Sequence, residues 1–131
     1  MITQKIIMLA QAMSEYEGWI PGANASSKDG GPSVSYRNHN PGNLRSSIFD
    51  LGVRDGFAYF QNDDIGFIAM MYDIAKKCKG ETRTALRSES RLHDLIHVWS
   101  AGSDEGDLRY AEYVCKRTGF DLNMRIGDLI Q

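Results

Sequence analysis

The feature that most constrains this chain is an apolar helical stripe that runs into a glutamate and is then stopped by glycine. Ile6, Leu9, Ala10 and Met13 recur at helical spacing, so a helix starting near Ile2 or Thr3 has one face made for a core. At about 100° per residue, Glu17 falls about 40° from Met13, inside that stripe, while Glu15 falls about 200° away, where a solvated carboxylate belongs. Gly18 follows Glu17 directly and Gly22 follows Pro21, so the helix ends there. A carboxyl held at an apolar edge has its charged form disfavoured, which raises its pKa. Such a glutamic acid can keep a proton near neutral pH and act as a general acid. The plainer alternative is a helix-end glutamate whose side chain bends out to solvent.

The second constraint is Asn40-Pro41-Gly42-Asn43. Proline sets φ at the second position and glycine accepts a positive φ at the third, which predicts a type II turn. That turn sets the Asn40 and Asn43 side chains beside each other, with Arg45 and Tyr36 close by. A primary amide both donates and accepts, so two of them can hold the amide and hydroxyl groups of an N-acetylated sugar. Asparagines that cap their own turn are the structural alternative.

The 131 residues read as a single domain, 1–131, with room for one modest core. A net charge of -2 gives no global attraction to nucleic acid or anionic membranes. The basic positions Lys76, Lys77, Lys79, Arg83, Arg87 and Arg91, the arginines at i, i+4 spacing, read as a solvated face or as a weak landing strip for an anionic polymer. No apolar run approaches the roughly 18 residues of a membrane span. The N-terminus has no sustained apolar region and no cleavage site, so no signal peptide is expected. Cys78 and Cys115 both fall on apolar helix faces, and two buried free thiols are expected rather than a disulfide. His39, His93 and His97 have no metal-ligand spacing with the cysteines, and neither a metal nor a cofactor is expected. His93 and His97, at i, i+4, read as partly exposed.

Pro21 to Pro32 is a polar loop, either a disordered insertion or a flap over a cleft. Val34-Ser35-Tyr36 is expected to be extended. Ser47 to Phe60 predicts a β-hairpin, with Ile48, Leu51 and Val53 ahead of an Arg54-Asp55-Gly56 turn and Phe57-Ala58-Tyr59-Phe60 after it. Turn chemistry accounts for Asp55, and Asp50 is the weaker candidate for a second catalytic carboxylate. A helix from about Ile65 to Lys79, capped by Asp63 or Asp64 and ended by Gly80, buries Phe67, Met70, Met71, Ile74, Ala75 and Cys78. Ser90 caps a helix carrying Leu92, Leu95, Ile96, Val98 and Trp99. Asp104 opens another, with Leu108, Ala111, Val114 and Cys115 inward, and a last short helix holds Leu122, Ile126, Leu129 and Ile130. Trp19, in the loop after Glu17, is the better candidate for stacking on a sugar ring, and Trp99 reads as core.

Tyr16-Glu17-Gly18-Trp19, a Gly/Ser-rich loop and His39-Asn40-Pro41-Gly42-Asn43-Leu44-Arg45 together carry a resemblance. So do Gly56-Phe57-Ala58-Tyr59-Phe60, the helix opened by Gly66, Trp99-Ser100-Ala101-Gly102-Ser103-Asp104, Tyr110-Ala111 and Thr118-Gly119. The chain resembles the small lysozyme-like lytic transglycosylases and muramidases of bacteriophages and bacteria, from about Ile6 to Leu129. Asn-Pro-Gly-Asn-Leu-Arg is the most specific part. It departs from the better-known soluble transglycosylases in having Gly18 where they have serine, and in lacking their Gly-Leu-Met-Gln turn.

The resemblance implies an α+β, mainly helical, lysozyme-like fold with a small β-hairpin beside a substrate cleft. It implies Glu17 as the catalytic acid, and a late-helix tyrosine hydrogen-bonded to it, with Tyr110 preferred and Tyr113 the alternative. The implied substrate is the glycan strand of peptidoglycan, cut between N-acetylmuramic acid and N-acetylglucosamine. Trp19, Tyr36, Asn40, Asn43, Arg45 and Tyr110 are the candidate binding residues, and a monomer is expected. A hydrolase needs a second carboxylate, whereas a lytic transglycosylase can use one glutamate as acid and then base. With one well-placed glutamate, the transglycosylase leads. A hydrolytic muramidase and a cell-wall-binding protein without activity, for instance in a virion, are the alternatives. Without a signal peptide, a virion or host lysis would bring the protein to the wall.

Overall fold

The structure is a computed structural model that describes residues 2–19, 34–100 and 104–131. It is mainly helical with one two-stranded antiparallel sheet, an α+β arrangement. The loop expected at Pro21 to Pro32 lies outside the described residues, as do Ala101, Gly102 and Ser103.

Helix α1 (Gln4–Tyr16) is the central element. Thr3 caps it by accepting the Ile6 N–H at 3.2 Å, and its hydroxyl also donates to the Leu129 carbonyl, tying the two ends of the chain together. Ile6, Leu9, Ala10, Ala12 and Met13 are wholly buried, packed chiefly against α3 (Asp63–Lys79) and α5 (Asp104–Thr118). Full burial of an Ile, Leu or Met side chain stabilises by about 1.5–3 kcal/mol, so this stripe is a principal source of stability.

The end of α1 is a Schellman motif. Gly18 takes φ 88°, its N–H reaches the Glu15 carbonyl at 3.0 Å, and the Trp19 N–H reaches back to Ser14 at 2.9 Å. Glycine accepts this left-handed geometry without a Cβ clash.

Of the long connection between α1 and α3, the described part from Val34 onward is held by a series of backbone and side-chain hydrogen bonds. Val34–Arg37 is a helical turn, α2, where an extended piece was expected. The Asn38 N–H bonds Val34 and the Asn40 N–H bonds Ser35, while the Tyr36 ring packs on Trp19 at 5.0 Å. This long-range aromatic contact accompanies the helical conformation of α2.

The hairpin pairs β1 (Gly52–Arg54) with β2 (Phe57–Tyr59), Val53 opposite Ala58. Asp55 and Gly56 form its two-residue turn with φ 57° and 83°, the left-handed pair that matches strand twist. Leu51 and Val53 are both 60% exposed, and only the Ala58–Phe60 side faces a small second cluster with Ala69.

Helix α3 is capped by Asn62, whose side chain accepts the Ile65 N–H at 2.9 Å, rather than by Asp63 or Asp64. Gly80 ends it at φ 74°. The segment from 81 to 91 is made of turns and bends, so Arg83, Arg87 and Arg91 do not share a helix face. Arg87 donates to the carbonyls of Thr84 and Leu86, and Arg91 to that of Asn123.

Helix α4 (Leu92–Ser100) starts without the expected Ser90 cap. The Asp94 carboxylate instead accepts the Arg91 N–H at 2.8 Å, and the Ser90 hydroxyl accepts the Arg87 N–H. On α5, Leu108 is 50% exposed and Asp107 is buried in its place, a correction to the expected inward face. A short 3₁₀ helix, Ile126–Ile130, closes the chain and packs on α3 and α1. Cys78 is a buried free thiol, pushed up to about 12 by desolvation, and Cys115 is free and half-buried. Among the described residues, no helix is long and apolar enough to cross a membrane.

Candidate active site

Glu17 is the residue that follows the last turn of α1, where the helix carbonyls present negative charge. The residue as a whole is exposed, whereas neighbouring side chains crowd its carboxyl. It therefore lies at the rim of the core rather than inside it. Crowding desolvates the carboxylate and pushes its pKa above the ordinary value, and this outweighs the opposing hydrogen bonds from Tyr110 and Trp99. The helix C-terminus acts in the same direction as the crowding.

The Tyr110 hydroxyl lies 3.1 Å from Glu17 Oε2 and 3.3 Å from the Met13 carbonyl. It carries one hydrogen for two acceptors. With Glu17 ionised, that hydrogen points to the carboxylate; with Glu17 protonated, Tyr110 can accept from the acid and donate to Met13. Burial, then the Glu17 charge, pushes the Tyr110 pKa far up, so this hydroxyl keeps its proton. The Tyr16 ring packs on Tyr110 at 4.3 Å and reaches Tyr113 at 5.5 Å, and Tyr113 is 37% exposed. The structure brings Tyr110 to the acid.

Trp99, read from sequence as core, lies near enough to the Glu17 carboxyl to favour its charged form. It is only half-buried and lines a cavity of about 320 Å³ with Gly42, Asn43, Leu44, Arg45, Ser46, Asp73, Lys77 and Val98. Trp19 has the opposite fate. It is 4% exposed, its ring tilted against Tyr36 at 5.0 Å and edge-on to Phe67 at 6.2 Å. The Schellman turn explains this correction, because the residue after the left-handed glycine folds back onto the helix. Tyr36, a candidate sugar contact from sequence, packs its ring on Trp19.

The Asn-Pro-Gly-Asn turn also differs from the expected type II geometry. The Asn43 N–H bonds the Asn40 carbonyl at 3.0 Å, but Gly42 does not have positive φ; Asn43 does, at 51°. Glycine is required at 42 by space. A Cβ there would meet Met70 Cγ at 2.9 Å, Met70 Cβ at 3.1 Å and Trp99 Cζ2 at 3.4 Å.

The two asparagines are not side by side. Asn40 is fully buried, its amide donating to the Leu44 and Ala58 carbonyls and accepting the Leu44 N–H, so it welds the turn to β2. Asn43 is exposed on the cavity wall. Arg45 is exposed on the same wall, its guanidinium over the Phe57 ring at 4.3 Å and donating to Gly56. Asn38, which the sequence reading passed over, is buried and joins α2 to Arg54 of β1.

A second depression of about 350 Å³ shares Leu44, Ser46 and Asp73 with the first and extends it toward Ile48, Tyr72 and Lys76. Together they make a groove leading away from Trp99 along α3. A larger cavity, about 530 Å³, lies between Ile7, Gln11, Glu15, Trp19, Phe67, Met71 and Arg117 and is mainly apolar. We place the site at the smaller groove, because Trp99 both lines it and lies near the Glu17 carboxyl.

Asp50 accepts the Ser47 N–H at 2.9 Å, and Asp55 sits in the hairpin turn 3.6 Å from Arg37. Both carboxylates have roles in local turns. Asp73, not singled out from sequence, is the acid that lines the groove, and it is paired with Lys77. Among the described residues, no cluster of His, Cys, Asp and Glu is suited to hold a metal ion. Set against protein-family models, curated proteins and solved structures, the chain matches none.

Proposed function

We propose that this protein cleaves the glycan strand of peptidoglycan by a single-glutamate lytic transglycosylase mechanism, on a lysozyme-like fold. The observation that carries the reading is a desolvated glutamic acid at a helix end, bonded by Tyr110 and close to Trp99, a residue that lines the neighbouring groove. The sequence resemblance supports the substrate class. Protonated Glu17 delivers its proton to the glycosidic oxygen as the C1–O bond breaks and positive charge develops on the muramic sugar. The C6 hydroxyl of that sugar then attacks C1, and the Glu17 carboxylate takes the hydroxyl proton, giving a 1,6-anhydro end and restoring the acid. Tyr110 holds the carboxyl in place through both protonation states. Asn43 and Arg45, on the exposed wall, are the groups available to sugar amides, hydroxyls and carboxylates.

Asp73 supports one second reading, a hydrolytic muramidase in which it activates water. Its ion pair with Lys77 favours the first, since that carboxylate is already engaged by a neighbouring ammonium group. Digestion of purified sacculi followed by mass spectrometry separates the two, as anhydro and reducing ends differ by one water. Wild type is expected to release anhydro ends and Glu17→Gln nothing. Cleavage retained by Glu17→Gln refutes the mechanism, and reducing ends that vanish in Asp73→Asn establish the hydrolase.

A further inference from the structure

The two side chains that favour ionised Glu17, Tyr110 by a hydrogen bond and Trp99 by proximity, come from two helices, so the register of α4 against α5 matters to the acid. We infer that Asp107 is the positioning residue that does so: buried at the start of α5, it grips His97 and Ser100 of α4 and thereby sets Trp99 and Tyr110 against the Glu17 carboxyl. Asp107 is 1% exposed, while its neighbour Leu108 is 50% exposed, so the carboxylate is covered by its immediate neighbours although it lies near the surface rather than deep in the core. One carboxylate oxygen takes His97 Nδ1 and the other takes the Ser100 hydroxyl.

Those two partners flank Trp99 in sequence, and Tyr110 lies one turn beyond Asp107 on the same face of α5. A single buried group is thus bonded on either side of Trp99 and lies one turn from Tyr110. Apolar packing tolerates small sliding between helices, whereas a buried carboxylate with a partner for each oxygen specifies one register. The charged and titratable groups that Asp107 feels are His97 and His93, both on α4, with Ser100 as the neutral donor. The hydrogen bonds from Ser100 and His97 hold the Asp107 pKa below its ordinary value. The clamp therefore stays charged, and neutral His97 still donates as its Nδ1–H tautomer.

The test uses the full chain and two readouts that do not depend on the proposed reaction: the Glu17 carboxyl titration followed by ¹³C NMR, and the Trp99 indole N–H resonance assigned with Trp99→Phe. Tyr110 and Trp99 both favour ionised Glu17. In Asp107→Asn the Glu17 titration is therefore expected to move to higher pH and the Trp99 resonance to shift or broaden. His97→Gln, which keeps a donor, should leave both close to wild type, and His97→Ala should fall between. If Asp107→Asn fails to fold, His97→Ala and Ser100→Ala carry the same comparison with one partner removed each. On sacculi, the kinetic effect, which rests on the peptidoglycan reading, is a kcat lowered on the order of ten- to a hundred-fold with KM little changed. A variant that loses thermal stability while the Glu17 titration and the Trp99 resonance stay at wild type shows Asp107 to be structural only and overturns the inference. Absence of any cleavage by wild type would refute the reaction and leave the NMR result to decide the clamp.

Discussion

Substituting Gly42 with alanine tests whether space or backbone conformation demands glycine beside the groove. The new Cβ would lie 2.9 Å from Met70 Cγ and 3.1 Å from Met70 Cβ, against an optimum of about 3.5–4.0 Å between carbons. Met70 is fully buried on α3, and its Cβ is fixed to the helix backbone, so a rotamer change relieves only the Cγ contact. The loop itself must move by roughly 0.5 Å, an overpacking of the kind that costs about 1–3 kcal/mol. For a domain of this size, about 2 kcal/mol lowers the melting temperature by roughly 5–10 °C.

The assay is a double-mutant cycle in urea, with Gly42→Ala measured in wild type and in Met70→Ala. Removing Cγ should relieve part of the clash, giving a coupling of about 1 kcal/mol. If the turn were instead type II, the alanine penalty would come from positive φ, would be about 1 kcal/mol, and would not depend on residue 70. Strict additivity between the two positions refutes the packing argument.

The other expected outcomes concern the acid and the turn. Glu17 has a folded pKa raised by desolvation, so its favourable contribution to stability is complete below the unfolded value of about 4.3 and is lost as pH rises through the folded value. Glu17→Gln should therefore melt above wild type at pH 7, with the gap closing near pH 4 by calorimetry; a lower melting point at pH 7 would reverse the sign of the argument. Tyr110→Phe removes the hydroxyl shared by Glu17 and Met13, so it should raise the Glu17 titration further and cost about 1 kcal/mol, while Tyr113→Phe should leave that titration alone. Asn40→Ala should destabilise by about 2–4 kcal/mol in urea, because it strands the Leu44 N–H and two carbonyls. Asn43→Gly should keep the fold, since glycine accepts its φ of 51°, and should weaken glycan cleavage or binding; unchanged turnover would remove Asn43 from the site.

Several elements were legible because their determinants are local. The α1 stripe, its stop at Gly18, the Asp55-Gly56 turn and the Gly80 stop of α3 all depend on spacing or on a backbone conformation that few residues accept. The placement of Glu17 at a helix end follows from the same local rules. Its exposure does not, because periodicity assigns an azimuth but not how far a terminal side chain stands from the packed interior.

Local chemistry along the chain settles where helices and turns begin and end, and that one glutamate ends the first helix. Packing between elements distant in the chain settles which side chains meet there. Trp19 and Trp99 exchanged their expected roles because the Schellman turn folds Trp19 inward, whereas Trp99 faces the groove across Gly42. Asn40 and Asn43 parted because one amide met the backbone of β2 and the other met solvent. Asp107 is buried because His97 and Ser100 come to meet it from another helix. A periodic pattern records preference for core or water one residue at a time, and a polar group's partners come from elements distant in sequence, so their identity exists only once the helices have packed.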